Sequence, residues 1–98
     1  MERYECDAQQ RLLKVIDALV GHEVDGVSAK DIAARTGTSS ATAFRDLSNL
    51  QLGGWAEQLE DGGWRLSVNA AKMLRRINDG INSALARVNS ARRMYQDV

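Results

Sequence analysis

Proline is missing altogether from this chain of 98 residues, and cysteine and histidine each occur only once. The lone cysteine, Cys6, excludes an intramolecular disulfide and fits a reducing cytoplasm. With only His22 to join it, Cys6 also leaves no donor set for a structural zinc site, so no metal or other cofactor is expected. Cys6 itself reads as a half-buried residue beside the first helix. Aromatic residues make up only 5% of the chain, so a core must be built mainly from Leu, Ile, Val and Ala. No apolar run approaches the ~18 residues of a membrane span. The opening MERYECDAQQR lacks the apolar segment of a secretory signal. A cytoplasmic protein without a membrane partner is therefore expected. There is no glycine-rich phosphate loop, and no Ser or Cys stands near His22 in a recognisable catalytic spacing, so an enzyme is not expected.

What is present suits one small soluble domain. The formal net charge is zero, but it is unevenly placed. Residues 1–68 hold seven Lys/Arg against eleven Asp/Glu, a net of −4, and residues 69–98 hold six against two, a net of +4. Such asymmetry marks either a nucleic-acid contact or two faces that dock on each other between subunits.

Three helices are legible in the first half. In DAQQRLLKVIDALVG, apolar residues at Leu12, Leu13, Ile16, Leu19 and Val20 follow helical spacing, and Gly21 closes the segment. SAKDIAARTG opens with Ser28 and Asp31 in a capping-box arrangement, turns Ala29, Ile32 and Ala33 inward, and ends at Gly37. A tight turn leads to a third helix capped by Thr38 or Ser39, with Ala43, Leu47 and Leu50 on its buried side, stopped at Gly53-Gly54.

Beyond Gly54 the period changes. WAEQL and WRLSV are short alternating runs separated by EDGG, a hairpin signal. Trp55 and Trp64 are expected to cover the core face of that hairpin. Asn69 then caps a proline-free segment expected to stay helical past its weak point, Gly80. The fold class that follows is mainly α: a winged helix-turn-helix of three helices plus a two-stranded β-hairpin wing over residues 1–68, then a long carboxy-terminal helix over 69–98 as an oligomerisation element. In such a unit the third helix enters the DNA major groove.

The third helix is unusual for a surface helix in having no Glu or Lys. On a helical wheel Ala41, Thr42, Arg45, Ser48 and Asn49 gather opposite the apolar stripe, with Ser40 and Phe44 flanking. Short side chains suit a groove ~12 Å wide, hydroxyls and amides can bond base edges and phosphates, and Arg can take guanine bidentately. The free N–H groups of the helix start can hold a phosphate. The candidate DNA-binding residues are Ser39, Ser40, Ala41, Thr42, Arg45, Ser48 and Asn49, with Arg65 as the single cation of the wing.

Residues 11–66 resemble the amino-terminal winged-helix domain of IclR-type bacterial transcription regulators. The likeness is carried by RLLKVIDALV, by SAKDIAARTGTSSATAFRDLSNLQLGGW and by the hairpin ending in WRLS. Ile32-Ala33, Gly37, Thr42, Arg45, Leu47, Leu50 and Gly54 fit the family's pattern. The resemblance implies transcription regulation, with Thr42 and Arg45 on the DNA-reading helix. Departures stand at Ala41, where the family usually has Ser, at Phe44, where a polar residue is common, and at the acidic wing tip EDGG. The family's large effector-binding domain has no counterpart in these residues, so no small-molecule effector is carried over.

From Leu74 the apolar residues step by three and four through Ile77, Ile81, Ala84, Val88, Ala91 and Tyr95, an a/d series over three heptads. The helix is too long for a globule of ~13 Å radius of gyration to cover. Its first two turns, Ala70 to Ile77, are expected to pack on their own domain, and the remainder to meet a second copy of the chain. Two functions from different classes stay open: a double-stranded-DNA-binding transcription regulator acting as a homodimer, and a winged-helix assembly module that does not bind DNA. The net charge of −4 and the acidic tip support the second. A basic stripe on the exposed side of the third helix would favour the first, and a neutral or acidic one the second.

Overall fold

The computed structural model describes residues 4–97. Its elements run α1 (Asp7–Leu19), α2 (Ala29–Thr36), α3 (Ser40–Leu52), β1 (Ala56–Gln58), β2 (Trp64–Leu66) and α4 (Val68–Gln96). The fold is a winged helix followed by a long carboxy-terminal helix.

The core gathers Val15 and Leu19 of α1, Ile32 and Ala33 of α2, and Ala43, Leu47 and Leu50 of α3 beneath Trp64 of the wing. Both ends of α2 and the start of α3 have local causes. Ser28 accepts the Asp31 N–H at 3.1 Å and so caps α2. Gly37 turns left-handed at φ 70°, where a side chain would be strained, and Thr38 N–H closes back on Ala33 O. Ser39, the second of the two expected caps, begins α3.

In α1 the inward stripe differs from the expected one. Val15 is fully buried, whereas Leu13 and Val20 are 58% and 60% exposed. The stripe Leu12, Val15, Ile16 and Leu19 is the one that meets α2 and α3. Leu13 and Val20 lie a residue to one side of it, where the helix angle of about 100° carries them out of the contact. Cys6 is exposed, not half-buried, since it precedes the first helical turn.

The hairpin pairs Ala56 with Leu66, Glu57 with Arg65 and Gln58 with Trp64. Val27, in the loop after α1, adds a third short edge through two hydrogen bonds with Trp64 of 2.9 and 2.8 Å. Gly26, at φ 76°, makes that approach possible, because a Cβ there would lie 2.7 Å from a Leu59 methyl. The tryptophans part company. Trp64 is buried in the core, while Trp55 is half-buried at its edge.

The last helix starts earlier than expected and leaves sooner. Ser67, not Asn69, is its cap: the Ser67 hydroxyl accepts from Ala70 N–H and donates to Gly54 O, while Ser67 N–H bonds Trp55 O at 2.9 Å. These bonds fix the helix to the base of the wing and aim it outward. Its first turns therefore do not fold back. Leu74 and Ile77 are 61% and 59% exposed, and only Ala70 is half-covered. The 29 residues of α4 make a rod ~43 Å long. The radius of gyration is accordingly 19.4 Å, well above that of a globule of this length. No helix among the described residues is long and apolar enough to cross a membrane.

Candidate nucleic-acid interface

The exposed side of α3 is built by its own cap and by the burial of its opposite side. Ala43, Asp46, Leu47 and Leu50 face inward, which turns Ser40, Ala41, Phe44, Arg45 and Asn49 to solvent. Several of the short polar residues are locally occupied. Ser39 accepts the Thr42 N–H at 3.1 Å and donates its hydroxyl to Thr42 Oγ1 at 3.0 Å. Ser48 donates to Phe44 O at 2.8 Å. Ser39 and Thr42 thus hold the helix start, leaving its first backbone N–H groups to face outward. The side chains free to meet a ligand are Ser40, Arg45 and Asn49, with the Ala41 methyl and the Phe44 ring between them.

Two ion pairs hold charged residues of α3 and of the wing. Arg11 of α1 holds Asp46 with Nε 2.6 Å from one carboxylate oxygen and a terminal nitrogen 3.0 Å from the other. Asp46 is 6% exposed, so its charge is withdrawn beneath the helix and answered there. The same bond holds the Arg11 guanidinium above its ordinary pKa. Arg65 Nε lies 2.6 Å from Glu57 Oε1, and the same guanidinium bonds Glu23 O at 3.2 Å. Among the described residues no carboxylate pairs with Arg45. The exposed side of α3 therefore carries one unanswered positive charge and no negative one. It is not a basic stripe.

Arg65 stands apart from the other candidates. It follows Trp64 in β2, so the two side chains take opposite faces of the hairpin. Trp64 points to the core and to α3, and Arg65 points to the loop after α1. The wing tip is closed by Leu59 N–H on Gly63 O at 2.7 Å and by Gly63 N–H on Asp61 Oδ1 at 2.9 Å, with Glu60 and Asp61 exposed.

Phe44, a flanking residue on the helical wheel, joins helix and wing. Its ring meets Trp64 edge-on, with centroids 5.8 Å apart and planes at 83°. It remains 47% exposed, so half of the ring lies on the same surface as Ser40 and Arg45. Among the described residues no group of His, Cys, Asp or Glu is placed to hold a metal ion.

A sequence model of the IclR helix-turn-helix domain matches residues 9–60, just over half of the chain. Among solved structures, an IclR homologue from Microbacterium sp. strain HM58-2 is 27% identical with a TM-score of 0.60, over 72% of this chain and 29% of that one. An IclR homologue from Microbacterium hydrocarbonoxydans, complexed with 4-hydroxybenzoate, is 28% identical with a TM-score of 0.58, over 68% of this chain and 28% of that one. The chain thus spans less than a third of the length of those two proteins. The Cyprinid Herpesvirus3 ORF112-Zalpha structure, which describes its binding mode to Z-DNA, shares the fold at 22% identity and a TM-score of 0.53, over 59% of this chain and 93% of that one. No curated protein matches the chain.

Proposed function

Since the chain belongs to the IclR helix-turn-helix family, we propose that it is a cytoplasmic regulator of transcription that binds double-stranded DNA sequence-specifically and as a homodimer. The observation that carries this reading is the solvent face of α3. It is slim, it holds no carboxylate, and it presents Arg45 without a partner beside Ser40 and Asn49. In the major groove Arg45 takes a guanine edge and Ser40 and Asn49 bond bases or phosphates, while the N–H groups at the helix start hold a phosphate. Residues 1–68 are the reading unit and residues 69–98 the pairing element. Dimerisation places two such units on one duplex, which multiplies a weak single contact.

The α3 face, with one positive charge and no basic stripe, and the wing support a second reading. The tip of the wing carries Glu60 and Asp61, and the wing's one arginine is engaged by Glu57. A wing of that charge repels phosphate and suits a module that assembles with protein. Selection from random-sequence duplex DNA, followed by fluorescence anisotropy on the recovered sites, separates the two. Enrichment of a defined site supports the regulator. No binding to any duplex at low salt rejects it in favour of the assembly module.

A further inference from the structure

The direction in which two α4 helices pair is decided by residues beside the seam. Leu74, Ile77, Ile81, Val88 and Tyr95 are 56–83% exposed on a rod that its own chain does not cover. In a parallel pair, residues five apart on the two flanks of the a/d series face each other across the seam. For this helix those are Arg87 and Arg92, so arginine would meet arginine twice by symmetry. Ala84 and Ala91 would also each face their own copy, leaving two thin layers.

Reversal removes both defects. Resting on the dimer reading above, we propose that two chains pair through α4 in antiparallel register, with Leu74 facing Ala91 of the second copy, Ile77 facing Val88 and Ile81 facing Ala84. Each alanine then meets a larger side chain, Arg87 lies across from Gly80, and Arg92 lies across from Ala71. The register also carries the distal end of each α4 to the winged unit of the other copy, where an apolar groove of 530 Å³ runs between the wing and the start of α4. Val20, Trp55, Leu66 and Val68 line it, and Leu74 belongs both to it and to the seam. Tyr95 falls opposite Ala70 at this groove and enters it.

Charge supports the same direction. Glu23 and Glu57 stand at the groove, Glu57 paired there with Arg65 and Glu23, among the described residues, without a cation, and residues 1–68 as a whole carry −4. Arg92 and Arg93 arrive from the second copy within residues 81–98, where three arginines stand against one aspartate, a net of +2. The distal part of the uneven charge thus becomes an attraction between subunits, directed at Glu23. Val20, turned away from the core of its own chain, gains a partner in the same step.

Cross-linking tests the direction. In a Cys6→Ser background, chains with Leu74→Cys and chains with Ala91→Cys are treated with a short bismaleimide, separately and mixed. The antiparallel pair gives a covalent dimer only from the mixture, because the two copies of position 74 lie about 26 Å apart along the helices. Cross-linking within either variant alone means a parallel pair and overturns the proposal, while leaving the homodimer of the proposed function standing. A parent chain that sediments as a monomer at micromolar concentration overturns both. Arg92→Glu gives a second readout without touching the seam. It is expected to weaken the dimer about fivefold or more. An unchanged or tighter dimer overturns the antiparallel register, since in a parallel pair the introduced carboxylate would meet Arg87 across the seam.

Discussion

Arg11 Nε lies 2.6 Å from Asp46 Oδ2, an ion pair that joins the first turns of α1 to the middle of α3 beneath the surface that faces solvent. It locks the orientation of α3 against the core and keeps a negative charge off the solvent face of that helix. Asp46 is 8% exposed at its side chain, so it depends on that one partner.

Arg11→Met should therefore destabilise the protein without touching the surface of α3. Leaving a buried carboxylate without its charged donor costs about 2 kcal/mol. For a unit of this size that lowers the melting temperature by roughly 8–16 °C. DNA affinity measured well below the melting temperature should change little. A melt that does not move would show that water replaces Arg11 at no cost.

Arg45→Ala tests the solvent face of α3 as the proposed reading surface. A bidentate arginine contact to guanine is worth about 1–3 kcal/mol of discrimination. The variant should bind its selected site roughly ten- to a hundredfold more weakly. Its melting temperature should stay where it was, because Arg45 holds no other part of the fold. Anisotropy beside a thermal melt reads both quantities. Intact affinity would remove Arg45 from the interface.

Phe44→Ala should lose on both counts, but unequally. The edge-on contact with Trp64 is worth about 0.5–1.5 kcal/mol of stability. If the exposed half of the ring meets a thymine methyl in the groove, affinity for the selected site falls further than stability alone explains. Replacing that thymine by deoxyuridine should then weaken the parent and leave the variant unaffected. Equal sensitivity in the two proteins would confine Phe44 to bracing the wing.

Ile81→Asp combined with Val88→Asp should give a monomer by light scattering at micromolar concentration. The winged unit should keep its melting transition, because neither residue contributes to the core. A parent protein that is already monomeric would end the homodimer reading.

Glu23 is held below the ordinary glutamate range by hydrogen bonds from backbone N–H groups, that of Gly21 first. A carboxyl depressed in the folded state contributes stability that is present above its unfolded pKa and is lost as pH falls through the folded one. Glu23→Gln should therefore flatten the fall in melting temperature between about pH 6 and about pH 3. It should leave the neutral-pH profile parallel to that of the parent. An acid limb unchanged by the substitution would mean the bond forms equally in the unfolded chain.

The elements were legible in the sequence because their signals are local. Ser28, Ser39 and Gly37 fix helix ends through bonds within four residues, and the change of period after Gly54 announces the hairpin. What escaped depends on distant partners. Asp46 sits inside the stripe formed by Ala43, Leu47 and Leu50, and a carboxylate there demands a cation. The sequence does not say which one, and Arg11 is 35 residues away. Arg65 reads as a wing cation until its cross-strand partner Glu57 and the Glu23 carbonyl are in place. The exit of α4 hangs on Ser67 bonding the backbone of Gly54 and Trp55, a contact that no periodicity encodes.

Trp64 is 1% exposed, and Trp55 is half-buried at the groove beside α4. The chain therefore carries two tryptophan fluorophores in unlike surroundings, with no third indole to blur them. Emission from the enclosed indole stays blue until the winged unit unfolds. Emission from the outer one shifts when the groove is covered. On the proposed pairing through α4, dilution of the unlabelled protein reports association in one spectral component and folding in the other, and a Trp55→Phe variant silences the first alone.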